Sequence, residues 1–552
     1  MNDLINEREH SCPLFFCQDD RARLVGIMFW RVAVKNKDAK IETLNYGSVR
    51  QLGRAVMIGL LTGLIVSIFR FCIQHILSWV IDCFAYFHHQ PMMLFPWAIG
   101  SLIVALLLGW LSQKYPDIKG SGIPQVEGQL TGQFDEPWWP VLWRKFIGGV
   151  ISIGSGLFLG REGPSIQLGA TVGQGWSELH HQKGIERRVG IASGAAAGLS
   201  AAFNAPIAST MFILEEVYHN FSPLVWLSVF VSALCSNMVS LQFFSLKPDL
   251  GISYRQPLPL NQYWHLVLLG IVLGLLGRLY QYVILRLPTW SRKVKWFKPA
   301  WYPVIPFLLV IPIAWYFPLT LGGGNQLIVS IDQLPVSVKL FAGLFVLRFV
   351  FSMISYGSEL PGGIFLPILT LGAIIGGLYA AVAAKWGLLP SRYMDNMIIY
   401  AMAGYFACIS KAPFTAILLI TEMVGSLAFL MPLAIVAVVA YLVVDSLGGA
   451  PVYMAMFRNF MKKRPIKPFI GFTQVTLAVF AGSHLDGLAV RNYQWPAGCL
   501  LTSIYRGDEH ITPNGSTIIR AGDTLVVELT GKDQQDKQQQ IAQAAHNPDH
   551  GQ

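Results

Sequence analysis

Charge is what this chain has least of. Only 13% of its 552 residues are Asp, Glu, Lys or Arg, while 53% are hydrophobic. A soluble chain of this length carries about 25% charged residues, so the shortage argues for a bilayer as the solvent. Cysteine is also sparse. There are seven, scattered and without a C-x-x-C pair, which argues against both a disulfide framework and a zinc site. Cys72, Cys83, Cys235 and Cys408 lie in apolar runs and read as small buried hydrophobes. There is no H-E-x-x-H for a metalloprotease. No carbonyl-filter sequence of the TVGYG type is present, which argues against potassium conduction. Ser155 and Ser193 sit in glycine-rich apolar runs, as an intramembrane serine protease requires. His180, His181 and His219 fall in polar loops or at segment ends, so such a serine lacks a partner base. The first 20 residues are polar and mixed in charge, unlike a cleavable signal peptide. No cofactor and no metal is expected.

Long apolar runs are what the chain does have. Residues 55–69, 96–110, 264–287 and 430–444 are nearly free of charge. A span needs about 20 predominantly apolar residues, and roughly ten to twelve such stretches lie between 55 and 460, several too short to cross alone. The formal charge is +10. A basic chain invites a nucleic-acid reading, but here the cations flank the apolar region. Arg21, Arg23, Arg31, Lys35, Lys37, Lys40, Arg50 and Arg54 precede it. Arg458, Lys462, Lys463, Arg464 and Lys467 follow it. That is the positive-inside pattern. It predicts both termini in the cytoplasm, an even number of crossings and no nucleic-acid partner.

Four regions are expected: a basic N-terminal segment (1–48), a membrane domain (49–464), a soluble domain (465–531) and a disordered Gln-rich tail (532–552). Within the soluble part, VTLAVFAGSHLDGLAV, CLLTSIYRGDEHITP and TLVVELTG alternate apolar and polar residues as half-buried strands do. The membrane domain contains an internal repeat. GREGPSIQLGATVG (160–173) matches GGIFLPILTLGAIIG (362–376) at an offset of 203. AAFNAPIASTMFILEEV (201–217) matches CISKAPFTAILLITEMV (408–424) at an offset of 207, which pairs Glu215 with Glu422. The halves fall at about 49–245 and 260–464. Secondary transporters are often built this way, with the binding site where Gly/Pro-broken helices meet.

Three Gly-rich segments break the apolar runs: Gly120-Ser121-Gly122-Ile123-Pro124, Gly160-Arg161-Glu162-Gly163-Pro164 and Gly362-Gly363-Ile364-Phe365-Leu366-Pro367. Each sets a proline in the first turn of a following helix, where its missing N–H costs nothing. Each therefore predicts a helix that starts inside the membrane. Irregular backbone there has to line a polar cavity, and a helix N-terminus offers free N–H groups and a positive dipole end. Several such ends facing one spot bind an anion without a full positive charge, and so can release it. Ionisable groups inside the membrane are functional by default. Glu162 sits at one of these helix starts, either as a simple N-cap or as a carboxylate that occupies the anion's own site. Glu215 and Glu216 adjoin in an apolar run, where two neighbouring acids suit a proton carrier unless the run has reached the interface. Glu422 repeats Glu215, so that pair reads as structural. Lys145 and Arg161 are expected to offset the local negative charge, and Glu127 to support the site. Tyr453, before the basic run, is either a hydrogen-bond donor to an anion or a Tyr of the interfacial belt.

GSGIP (120–124), GREGP (160–164), GGIFLP (362–367) and the tyrosine of PVY (Tyr453) occur in this order and spacing. Together they resemble the CLC family of chloride channels and proton/chloride antiporters, over about residues 50–464. The resemblance implies an all-α polytopic membrane fold. It implies an inverted repeat of broken, tilted helices, one pathway per subunit and a homodimer. Carried over by position, Ser121 and Tyr453 supply hydroxyls to a central chloride. The backbone around Gly122, Ile123, Gly160, Arg161, Gly163, Ile364 and Phe365 completes the anion sites. Glu162 resembles the external gating glutamate, and Glu216 the internal proton glutamate of the antiporter branch, an acid that channel members commonly lack. The resemblance thus implies chloride and protons as the transported species, with a passive chloride channel of the same fold as the alternative. Serine at 121 fits chloride rather than nitrate. The chain departs from the pattern at Gln125, where many relatives carry an acid, and at Leu366, bulkier than the usual alanine. The soluble part, with GSHLDGLAV, IYRGDEHITP and IIRAGDTLVV, resembles the small α+β C-terminal lobe of potassium-uptake regulators. That implies a dimerising module or one that senses a small-molecule ligand. A bacterial inner-membrane location is expected.

Overall fold

The computed structural model describes residues 46–245, 250, 257–293, 298–461, 473–506, 509–530 and 533–545. The expected basic N-terminal segment, up to residue 45, and the basic residues at 462–467 lie outside them. The chain divides into two compact units, 1–460 and 461–552.

The first unit is helical. Its first half contains α1 (Tyr46–Phe87), α2 (Leu94–Lys114), α3 (Ile123–Leu130), α4 (Trp138–Gly154) and α5 (Glu162–Leu179). It continues with α6 (Gly184–Phe203), α7 (Pro206–Phe212) and α8 (Pro223–Phe244). The second half contains α9 (Trp264–Lys293), α10 (Val304–Tyr316), α11 (Asn325–Val329), α12 (Val338–Gly357) and α13 (Phe365–Lys385). It ends with α14 (Met394–Ser410), α15 (Pro413–Val424), α16 (Leu430–Ser446) and α17 (Val452–Met461). Among the described residues eight of these (α1, α2, α8, α9, α10, α12, α13 and α16) are long and apolar enough to cross a membrane. The others are short or broken. Cys408 is buried, while Cys72, Cys83 and Cys235 are only half-buried; all four are free thiols.

The repeat seen in the sequence is a repeat of structure. Helix α6 ends on Asn204 and α14 on Lys411, both in the left-handed region (φ 55° and 60°). Each is followed by Ala-Pro opening the next short helix. Helix α5 packs on α6 and α13 on α14 through the same small residues. A Cβ on Gly169 would lie 2.8 Å from the Gly194 carbonyl carbon, and one on Gly372 would lie 2.9 Å from the Ala401 oxygen. Close helix approach through small residues is how spans associate where lipid supplies no hydrophobic drive. Gly160 and Gly363, equivalent under the repeat, form an antiparallel bridge, each N–H donating to the other's carbonyl at 2.7 Å. Equivalent residues paired antiparallel mean the two halves run in opposite directions, which is an inverted repeat. Glu215 and Glu422 close the same symmetry. Glu422 accepts from the N–H groups of Ile207 (3.1 Å) and Ala208 (2.7 Å), at the start of α7. Glu215 accepts from Phe414 (3.3 Å) and Thr415 (2.8 Å), at the start of α15. Each half thus caps a helix of the other with a carboxylate at its positive end.

The second unit holds a four-stranded antiparallel sheet in the order β1-β4-β2-β3. Its strands are β1 (Thr473–Ala478), β2 (Cys499–Arg506), β3 (Glu509–Ile511) and β4 (Thr524–Leu529). Its core is Leu485, Ile504, Ile519, Leu525, Val527 and Leu529. Two expectations need correction. Only the first part of VTLAVFAGSHLDGLAV is strand; from Gly482 it runs through turns. The Gln-rich stretch expected to be disordered forms helix α18 (Gln534–Ala545), because Ile541 and Ala545 bury completely against the sheet. Asp523 is buried under a bidentate Arg506 (2.7 Å on each oxygen) and also accepts from the Arg520 N–H at 2.9 Å. Burial alone pushes its carboxyl up. The Arg506 hydrogen bonds, the Arg520 N–H and the two guanidinium charges outweigh that and hold it below the usual carboxylate range.

Candidate functional site

The three Gly-rich segments, more than 200 residues apart at their extremes, meet in the first unit. Gly122, in the left-handed region (φ 94°), turns the chain into α3, with Pro124 in the first turn. That backbone favours glycine. Gly362 N donates to Gly120 O at 3.0 Å, and the Gly160–Gly363 bridge links the starts of α5 and α13. A Cβ on Gly163 would lie 2.8 Å from Ser121 O, so the first turn of α5 sits directly on the serine. Ile123, Gly163, Ile364 and Phe365 are all buried.

Two hydroxyls enter this junction. Ser121 Oγ and Tyr453 Oη are fully buried and find no hydrogen-bond partner among the described residues. Buried hydroxyls are almost always satisfied, so two orphans on residues expected to face an anion fit such a ligand. Tyr453 opens onto an aromatic cluster. Its ring meets Phe212 edge-on at 5.9 Å, Phe212 meets Phe365 at 5.6 Å, and Phe365 meets Phe406 at 4.3 Å. The cluster seats Tyr453 beside the helix start at Phe365. The phenol lies within electrostatic range of both Glu162 and Glu216.

Glu162, the first residue of α5, is completely buried. Its Oε2 lies against Gly160, where a Cβ would overlap it. That same Cβ would be 3.2 Å from Leu366 N and 3.1 Å from Pro367 Cδ. The carboxylate therefore sits next to the N-terminal turn of α13. Arg161 Nε is 3.8 Å from Glu162 Oε1, and Arg161 Nη2 donates to Ala202 O at 3.3 Å. Lys145 faces the negative charge of Glu136 and also holds backbone. Fully buried, it donates to Ile118 O (3.0 Å) and Gly120 O (2.8 Å), holding the lead-in to GSGIP, and the charge that acts on it is Glu136. Gln125 holds the same loop, its amide donating to Asp117 O (3.2 Å) and Lys119 O (3.0 Å), contacts an acid cannot make. Leu366 fits because Gly323 leaves room: a Cβ there would lie 2.6 Å from Leu366 Cδ2.

Glu216 lies in a π-helical turn, Ile213–Val217, directly after α7. Such turns are rare and frequent at functional sites. It is buried, its Oε1 without a partner among the described residues, and Glu127 and Glu215 act on it electrostatically. Glu127 on α3 is buried too, with Arg458 as its nearest influence of opposite sign. The fold thus puts Glu127 within electrostatic range of Glu216, and Tyr453 within range of both Glu216 and Glu162. Sequence reasoning missed a buried polar network beneath the site. Gln167 donates to Asp117 O (3.0 Å) and to both oxygens of Glu136 (3.1 Å), while Gln174 donates to Glu136 O (2.7 Å). The signal was available: glutamines seven apart on one helix share one face. It also missed Arg348, a buried cation in α12.

Comparison with known proteins agrees with this fold. Residues 104–445 match the family described as voltage gated chloride channel, a family of ion-transport proteins rather than enzymes, and residues 475–536 match the TrkA-C domain. The H(+)/Cl(-) exchange transporter ClcA of Salmonella typhimurium is 32% identical over 423 residues, covering 74% of this chain and 88% of that protein. A slow cyanobacterial Cl-/H+ antiporter of known structure superposes with a TM-score of 0.70 at 29% identity, covering 75% of this chain and 99% of the other. A CLC-type fluoride/proton antiporter shares the fold at a TM-score of 0.61 and 22% identity, over 73% and 98% of the two chains. This multi-pass membrane protein belongs to the CLC family of voltage-gated chloride channels and transporters, and carries a TrkA-C domain at its C-terminus.

Proposed function

We propose that the chain exchanges chloride for protons across a bacterial inner membrane, with Glu162 as the external gate and Glu216 as the internal proton-transfer residue. The observation that carries this reading is the seat of Glu162. Its carboxylate lies against Gly160, beside the first turn of α13, where free N–H groups and the helix dipole favour an anion. A carboxylate there competes with chloride for one place. Protonation weakens its hold and admits the ion. Ser121 Oγ and Tyr453 Oη, buried donors without partners among the described residues, suit a chloride further along the path. Glu216, buried in its π turn with Glu127 nearby, gives the proton a second station that a passive channel has no use for. Relatives named as H(+)/Cl(-) exchangers and a Cl-/H+ antiporter support coupling in this chain. Cytoplasmic termini belong to the same reading, supported by the flanking basic residues, and so do two copies per assembly. So does a small-molecule ligand for the TrkA-C domain.

The test is coupled flux. Proteoliposomes given a chloride gradient are expected to drive protons against their own gradient. Chloride flux with protons standing still would make the protein a passive channel. Glu162→Gln is expected to stop proton movement, spare chloride flux and flatten its pH dependence.

A further inference from the structure

Arg348 is a buried cation that the mechanism above does not use. It lies in the middle of α12, and its side chain is fully buried. Nη1 donates to Thr320 O (2.7 Å) and Gly322 O (3.1 Å), and Nη2 to Gly323 O. The guanidinium stacks 4.0 Å from the centre of the Phe158 ring. Every one of these partners is neutral, and no carboxylate pairs with Arg348 among the described residues. Lys145 differs, because Glu136 acts on it. A buried cation without an acid is costly and rare. Three carbonyl dipoles and an aromatic face offset part of the cost, but they leave the positive charge in place.

Its position gives that charge a use. Gly323 O, which accepts from Arg348, lies 2.9 Å from Thr370 Oγ1, and Leu366 O lies at the same distance, so the one hydroxyl proton is shared between the two carbonyls. Leu366 is in the first turn of α13. On the other side Phe158 stands two residues before Gly160, and its N–H donates to Ser355 Oγ (3.2 Å), on the same helix as Arg348. The guanidinium therefore backs onto the lead-ins of both broken helices whose ends hold the Glu162 carboxylate. Holding three carbonyls needs only neutral donors. A full charge adds a field, and in a low-dielectric interior a field reaches past the groups in contact with it.

We propose that Arg348 is an affinity-determining residue of the outer anion site, acting through its charge and never as a ligand. The inference rests on the anion-transport reading above. It predicts that chloride and the ionised Glu162 side chain, which compete for one place, are both held more tightly because of Arg348.

The experiment is chloride titration calorimetry on the purified full chain in detergent, with proteoliposome flux on the same preparations. Arg348→Gln keeps hydrogen-bond donors and removes the charge, and is expected to weaken chloride binding about tenfold. Arg348→Lys keeps the charge and loses the planar fork. Thr370→Val keeps the charge and loosens the loop. Both are expected to bind within threefold of the parent chain. Parent-like binding by R348Q overturns the inference. So does an equal loss in R348K, because the fork rather than the charge would then matter. Should R348Q fail to fold, R348K decides alone: binding within threefold supports the inference and a tenfold loss overturns it. Failure of the antiporter reading shows separately, as absent proton movement in the parent chain.

Discussion

The seat of Glu162 can be attacked without touching Glu162. Gly160→Ala adds one methyl where the carboxylate lies. The new Cβ would overlap Oε2 and also sit 3.1 Å from Pro367 Cδ and 3.2 Å from Leu366 N. Proline and backbone cannot yield, so the carboxylate has to. Ordinary contacts of a methyl carbon lie at about 3.5–4.0 Å, so it must withdraw by roughly 1 Å or more. A carboxylate at the positive end of a helix is stabilised by about 0.3–2 kcal/mol. Losing that seat shifts the balance between seated and displaced Glu162 by roughly 2- to 30-fold toward displaced. Gly160 is not in the left-handed region, so alanine adds no backbone strain, and the bridge to Gly363 uses main-chain atoms that alanine keeps. The assay is paired chloride and proton flux from proteoliposomes across pH 4–8. G160A is expected to keep chloride flux, to lose most proton coupling and to flatten the pH dependence toward that of E162Q. A G160A protein that folds, couples and titrates like the parent chain would refute the claim that this seat is the gate.

Other outcomes follow from the same geometry. Glu216→Gln is expected to abolish proton movement while chloride flux stays within a few-fold of the parent; flux that keeps its coupling would assign the internal proton step elsewhere. Tyr453→Phe removes one unpartnered donor. At about 1 kcal/mol for a hydrogen bond it should weaken chloride binding roughly fivefold by calorimetry, and unchanged binding would place the anion away from the phenol. Asp523→Asn breaks a half-exposed ion pair in the second unit and should cost about 1–3 kcal/mol, read as faster hydrogen exchange in β2 and β4 at pH 7. The sign with pH is fixed by a folded carboxyl held below its ordinary value. The stabilisation is complete above about pH 4 and is lost as pH falls through the folded value. Parent and D523N should therefore converge in exchange rate only in acid; convergence at neutral pH would remove the ion pair from the account.

The helix breaks were legible in the sequence because their causes are local. A proline without an N–H and a glycine free to take a positive φ act on the few residues beside them, so GSGIP, GREGP and GGIFLP announce helix starts wherever they occur. The repeat was legible for a related reason. Equivalent backbone turns, such as those at Asn204 and Lys411, keep equivalent residues after them, down to Glu215 and Glu422. The Gln-rich tail misled because polarity alone reads as disorder. Ile541 and Ala545, two small commitments to a core, became visible only with the sheet beneath them.

By itself, then, the sequence determined that the chain lives in a bilayer, that it is built in two related halves, and which helices begin inside the membrane. Run length, internal repetition and Gly–Pro chemistry are properties of neighbouring residues. The tertiary structure decided what those helix ends face. It joined Gly160 to Gly363, sent Lys145 to the carbonyls before Ser121, set Glu127 within electrostatic range of Glu216, and left Arg348 with no acid among the described residues behind the start of α13. The physical reason is separation along the chain. Partners on separate helices and loops meet only when whole helices pack, and no local preference of either partner encodes the meeting.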